Sequence, residues 1–127
     1  MAAGDPLSSR QRATLDAAIR RAEQSCRYEF SVFVGTVDGA DARTFARRLH
    51  ASLTLPARSV LVMVDPTRRA IEIVTGEQVR STLSDREVDL IVLHMQSDFA
   101  SGDLAGGLRR GVEQLAEHAR APRTLHA

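Results

Sequence analysis

The acidic residues Asp38, Asp41, Asp65, Glu77, Asp85, Asp98 and Asp103 nearly all fall at the ends of expected helices and strands. Strand-end loops are where α/β sheets bind ligands, and carboxylates converging there can hold a hard cation such as Ca²⁺ or Mg²⁺. A carboxylate at a helix start also has a plainer use, complementing the dipole and accepting free N–H groups, and Asp41, Asp85 and Asp103 stand at such positions. The stretch FASGDLAGGLRRGVEQL, residues 99–115, offers a second candidate, because Gly102 and Gly107 have the spacing of a phosphate loop. Leu108 and Arg109 stand where that loop needs Lys and Ser or Thr. The segment also leaves a helix rather than a strand, and Asp103 would repel an anion. Gly107 and Gly111, one helical turn apart, are therefore expected to serve close packing.

Other chemistries find less support. His50, His94, His118 and His126 form no HxxxH or HxxE pair and read as solvated side chains on helices and the tail. There is no GxSxG elbow, and Ser59 and Ser84 have structural explanations at a strand start and a helix cap. All 17 basic residues are Arg, so lysine bases and Schiff bases are excluded. The single cysteine, Cys26, rules out an intramolecular disulfide and a cysteine-based zinc site, and its apolar helix stripe marks it as a buried thiol. A net charge of +1 with no basic stripe interleaved with aromatics speaks against nucleic acid. Paired arginines at 20–21, 47–48, 68–69 and 109–110 read as solvated surface, with Arg68 and Arg69 in a hairpin loop as candidates for an acidic partner.

The elements that would carry these residues follow from periodicity. The expected organisation is a flexible lead at 1–7, a single domain at 8–121 and a tail at 122–127. Ser8 and Gln11 have capping-box spacing and open a helix from about Ser9 to Arg27. YEFSVFVGTV reads as a strand ended by Asp38-Gly39, and Asp41 caps a second helix with Ala42, Phe45, Ala46, Leu49 and Leu53 inward. Val60 to Val64 is apolar throughout, as in a strand covered on both faces, and Ala70 to Val74 is its antiparallel partner nearer an edge. Ser84 and Glu87 form a second capping box for a helix with Val88, Ile91, Val92, Met95 and Phe99 inward; Leu90 and Leu93 widen that stripe, predicting one of the most buried helices. A last helix spans about Asp103 to Arg120. The predicted fold class is α/β, a three-layer α/β/α sandwich on a small mixed sheet in the order α-β-α-β-β-α-α. No apolar run reaches membrane-spanning length and no leader pattern is seen, so the expectation is a cytoplasmic protein with no membrane span.

Three segments resemble the TPM domain family, which includes plant thylakoid-lumen proteins linked to photosystem II repair and acid-phosphatase activity, and many bacterial proteins. LSDREVDLIVLHMQSDFASGDLAGGLRRGVEQL is similar to its Leu-Thr-Asp, helix, Phe-x-x-Gly-Asp-Tyr and Gly-Leu-x-x-Gly-Val pattern. SVLVMVDPTRRAIEIVTG resembles its central hairpin, and SCRYEFSVFVGTVDGADARTFARRL its first strand and second helix. The likeness covers residues 8 to 118, and the Lys-free composition suits an actinobacterial branch. It implies a site at one end of the sheet, with Asp38, Asp85 and Asp103 as metal ligands for Ca²⁺ or Mg²⁺ beside the turn residues Gly76, Ser84 and Gly102. The chain departs from the pattern at Ala51 to Ser59, where many members carry Trp-Gly-x-Gly, at Thr75-Gly76-Glu77, and at Leu104 in place of Tyr. With a depleted site, the leading expectation is a non-catalytic interaction module requiring no cofactor and acting on a protein partner. A divalent-metal-dependent acid-phosphatase-like hydrolase is the alternative, and a homo-oligomeric structural element a third.

Overall fold

The structure is a computed structural model and describes residues 6–37, 39 and 41–120. Ser8 opens α1 (Ser9–Cys26): its hydroxyl accepts from the Gln11 N–H while the Gln11 side chain accepts from the Ser8 N–H. Leu15, Ala18, Ala22 and Cys26 recur on the buried face, and Arg27 ends the helix in left-handed backbone at φ 70°. Then come β1 (Glu29–Val34), α2 (Ala42–Ala51), a short 3₁₀ turn (Pro56–Arg58), β2 (Ser59–Asp65) and β3 (Ala70–Thr75). A second 3₁₀ turn (Val79–Ser81) leads to α3 (Asp85–Ala100) and α4 (Leu104–Ala119). The element order is the one the periodicity predicts.

The sheet runs β1-β2-β3. β1 pairs parallel with β2, Glu29 opposite Ser59 through Val34 opposite Val64, and β2 pairs antiparallel with β3, Val60 opposite Thr75 through Asp65 opposite Ala70. Every residue of β2 is buried, because strands flank it and helices cover both faces. Alternation divides its side chains between two clusters. Val60, Val62 and Val64 pack with Leu15, Met95, Leu108 and Val112, whereas Leu61 and Met63 meet Val37, Ala46, Phe33 and Phe45 under α2. Each fully buried large aliphatic side chain contributes about 1.5–3 kcal/mol of hydrophobic stabilisation. The sandwich is therefore α2, then the sheet, then the layer of α1, α3 and α4.

The glycines of the near-phosphate loop have the packing role expected of them. A Cβ on Gly111 would stand 2.6 Å from Met95 Sδ, and one on Gly107 would stand 2.6 Å from Phe99 Cε1, so α4 lies against α3 at glycine distance. Two expectations are corrected. α3 buries Val88, Ile91 and Met95, but Leu90 and Leu93 are 51% and 60% exposed, since α4 and β3 cover only part of its circumference. His50 is buried rather than solvated, because the last turn of α2 lies over the start of β2; its Nε2–H donates to the Ser59 carbonyl at 2.9 Å.

Candidate functional site

The edge of β3 farthest from β1 has no neighbouring strand among the described residues. The Gly76 N–H donates to the Ser59 carbonyl at 2.9 Å, which makes those two a hydrogen-bonded pair of the ladder. Antiparallel ladders alternate every residue, so Val74 and Glu72 also turn their backbone groups toward β2. Ile71, Ile73 and Thr75 turn theirs outward. Two side-chain contacts agree with that phase: Arg43 Nη1 donates to the Ile73 carbonyl at 3.0 Å, and Arg80 Nη1 donates to the Thr75 carbonyl.

This edge forms the floor of an open groove of about 970 Å³. Arg43, Arg47 and His50 line it from α2, at helical spacings of four and three, and Asp85, Val88, Asp89 and Val92 line it from α3. The two walls lie on opposite faces of the sheet and carry opposite charge. Glu72, on the α2 side of β3, takes part in the basic wall through its 3.3 Å ion pair with Arg43. The end of the groove is fastened by a clasp of turns. Gln78 donates its N–H to the Ala57 carbonyl, Arg58 donates to the Gln78 side chain and the Arg27 carbonyl, and its guanidinium stacks 5.0 Å from the Tyr28 ring centroid. Gly76 completes the clasp. A Cβ there would stand 2.1 Å from the Pro56 carbonyl oxygen and 2.4 Å from that of Ala57, so only glycine fits.

The residues expected to form one metal site are divided between the two ends of the sheet. Gly76, Ser84 and Asp85 lie where β3 ends and α3 begins; Gly102 and Asp103 follow the other end of α3. α3 has 16 residues and is about 24 Å long, too far for Asp85 and Asp103 to share a cation. The single-site arrangement is corrected on that ground for this pair, and Asp38 lies outside the described residues. Among the described residues no three His, Cys, Asp or Glu side chains are grouped to hold a metal ion.

Ser84, Gly102 and Asp103 instead have local structural roles, and Asp85 stands in the first turn of α3. Ser84 and Glu87 form the expected reciprocal capping box of α3. Gly102, at φ 89°, makes the turn between α3 and α4, and Asp103 caps α4 by accepting from the Gly106 N–H at 2.9 Å. Arg110 bridges Asp103 at 2.8 Å and Asp98 at 3.2 Å. That guanidinium, with the Gly106 N–H, holds the Asp103 carboxyl below the usual Asp range. Asp65 is fully buried at the end of β2, where its carboxylate accepts from the N–H groups of Val37, Thr67 and Arg68. Those bonds, the one from Val37 foremost, lower its pKa despite burial. Arg68 bends back to Asp65 and the Gly39 carbonyl rather than standing out for a partner. Sequence reasoning did not find the groove. The alternation of β3 marked an edge strand, but only the register shows which backbone groups it leaves outward.

No helix among the described residues is long and apolar enough to cross a membrane. The fold is shared with several solved structures. The NMR structure of the BA42 protein from the psychrophilic bacterium Bizionia argentinensis superposes with a TM-score of 0.81 at 22% identity, covering 92% of this chain and 83% of that one. The solution NMR structure of the N-terminal domain of a protein from P. gingivalis has a TM-score of 0.75 at 22% identity, over 94% and 84% of the two chains. The N-terminal domain of cg2496 from Corynebacterium glutamicum has a TM-score of 0.71 at 20% identity, over 98% and 86%. Identities this low speak for the fold alone. The uncharacterized protein Rv2468c of Mycobacterium tuberculosis is 31% identical over 102 residues, which are 80% of this chain and 60% of that protein. The chain thus spans less than two thirds of the curated relative it matches. Residues 1–116 match a domain of unknown function, DUF5130, and the chain belongs to that family.

Proposed function

We propose that this DUF5130 domain is a TPM-like interaction module without catalytic activity, taking a protein partner in the groove between α2 and α3. Its place of action is the bacterial cytoplasm or the inner face of the membrane. The observation that carries this reading is the unpaired edge of β3 on the floor of a groove of about 970 Å³. Unpaired sheet edges are templates for other chains, and proteins that do not use them shorten, charge or cover them. A metal-dependent hydrolase would need carboxylates converging on one phosphoryl oxygen. The separation of Asp85 from Asp103, and the engagement of Asp103 by Arg110, favour the interaction reading over that one.

Selection of displayed random dodecapeptides on the 127-residue chain, followed by NMR shift mapping of each enriched peptide, tests the reading. Perturbed amides should cluster in β3, along Arg43 to His50 of α2 and along Asp85 to Val92 of α3. Enriched peptides that map to another face would overturn it. The metal-dependent alternative is checked by thermal melts with Ca²⁺, Mg²⁺ or EDTA. A cation at a hundredfold its Kd adds about 2.7 kcal/mol of stability, and the interaction reading expects no shift at millimolar metal.

A further inference from the structure

Resting on the reading that the groove takes a protein partner, we infer that the partner enters as an extended segment pairing with β3 as a fourth strand, its acidic side chains toward α2 and its basic side chains toward α3. The backbone supplies the first argument. Ile71, Ile73 and Thr75 offer outward N–H and C=O groups at two-residue spacing along a six-residue strand, the pattern on which an added strand is built. The carbonyls of Ile73 and Thr75 are held by arginine side chains rather than by main chain. An incoming N–H can take each carbonyl, and the Arg43 guanidinium released from Ile73 can turn to an incoming carboxylate on the α2 side, which keeps a charge-assisted bond beside the new main-chain one.

Charge supplies the second argument. Successive side chains of an added strand point to opposite faces of the sheet, and here one face meets Arg43 and Arg47 while the other meets Asp85 and Asp89. A residue opposite Ile73 would share the face of α3, and its neighbours would share the face of α2. A strand alternating acidic with basic residues therefore sets its acidic side chains toward Arg47 and Arg43, the latter already paired with Glu72, and its basic side chains toward Asp85 and Asp89. The same distribution disfavours a second copy of this chain. A two-fold pair joined edge to edge through β3 must run antiparallel, which sets the basic wall beside its own symmetry mate and the acidic wall beside its own.

The probe is an acetylated, amidated octapeptide alternating Glu and Arg, compared with a peptide of the same composition in the order Glu-Glu-Arg-Arg. Binding is followed by NMR shifts and amide hydrogen exchange. The alternating peptide should slow exchange at Ile71, Ile73 and Thr75 and bind at least about tenfold tighter than the blocked one. Arg47→Glu and Asp89→Arg should each weaken it by about tenfold, whereas Arg47→Lys, which keeps the charge, should leave it within about twofold. Both positions are exposed, so folding is retained. Shifts along α2 and α3 with unchanged exchange in β3 would overturn strand addition and leave the groove reading standing. No response anywhere in the groove to either octapeptide overturns the strand proposal, while groove-mapping peptides from the dodecapeptide selection would still support the broader reading. Slowed β3 amides in the free protein, with a doubled mass, would give the edge to a second copy and overturn the proposal.

Discussion

Replacing Gly76 by Ala asks whether that glycine serves a ligand or the packing of the clasp. Gly76 does not adopt left-handed backbone, so conformation alone would let it be Ala. Space does not: the added Cβ would stand 2.1 Å from the Pro56 carbonyl oxygen and 2.4 Å from that of Ala57. Both obstacles are main chain and cannot swing aside like a side-chain tip. Overpacking of this kind costs about 1–3 kcal/mol. Relief by backbone displacement would stretch the Gly76–Ser59 and Gln78–Ala57 hydrogen bonds, each 2.9 Å and each worth about 0.5–1.5 kcal/mol net. The combined loss is about 2–6 kcal/mol, or a melting temperature lower by about 8–22 °C for a domain of this size. Gly102→Ala is the contrast. It sits at φ 89° with nothing within 4 Å of the added Cβ, so its cost is conformational only, about 1–2 kcal/mol. Thermal melts by circular dichroism compare the two. A Gly76→Ala protein melting within about 2 °C of the parent, or a Gly102→Ala protein that is the weaker of the two, would refute the packing argument.

Acid sensitivity provides a second test. The folded-state pKa of Asp103 is depressed below its ordinary 3.8, so its contribution is complete above that value and is lost as the pH falls through the folded value. Asp103→Asn should lower stability at pH 7 and flatten the acid limb below about pH 4, and an unchanged limb in pH-dependent melts would contradict this. Ser84→Ala removes the hydroxyl that caps α3 and should cost about 1 kcal/mol in urea unfolding while leaving peptide binding in the groove intact. On α3 itself, Leu93→Gln should change stability by no more than about 0.5 kcal/mol, because the side chain is 60% exposed. Leu108→Ala, fully buried on the facing helix, should cost about 2–5 kcal/mol, and similar urea midpoints for these two variants would contradict the burial pattern.

Local chemistry made much of the fold legible before any coordinates. Ser8 with Gln11 and Ser84 with Glu87 mark helix starts because a capping box is closed by residues three apart. The unbroken apolar run of β2 requires cover on both faces, and Gly107 and Gly111 announce a close helix approach because a missing side chain is visible in the chain itself. Exposure of Leu90 and Leu93 was not legible, since an apolar residue beside a stripe looks the same whether or not a neighbour reaches it. Nor was the burial of His50, which depends on α2 lying over Ser59. The candidate site shows the same division more sharply. Asp85 and Asp103 both read correctly as residues at helix starts, yet α3 runs the length of the sheet between them and sends them to opposite ends. Residue types, caps and periods are properties of neighbours along the chain, and the amino-acid order is sufficient for them. Which termini meet, which strand edge stays open and which charges face it across a groove depend on the direction each element takes after its turn, and only the tertiary structure decides that.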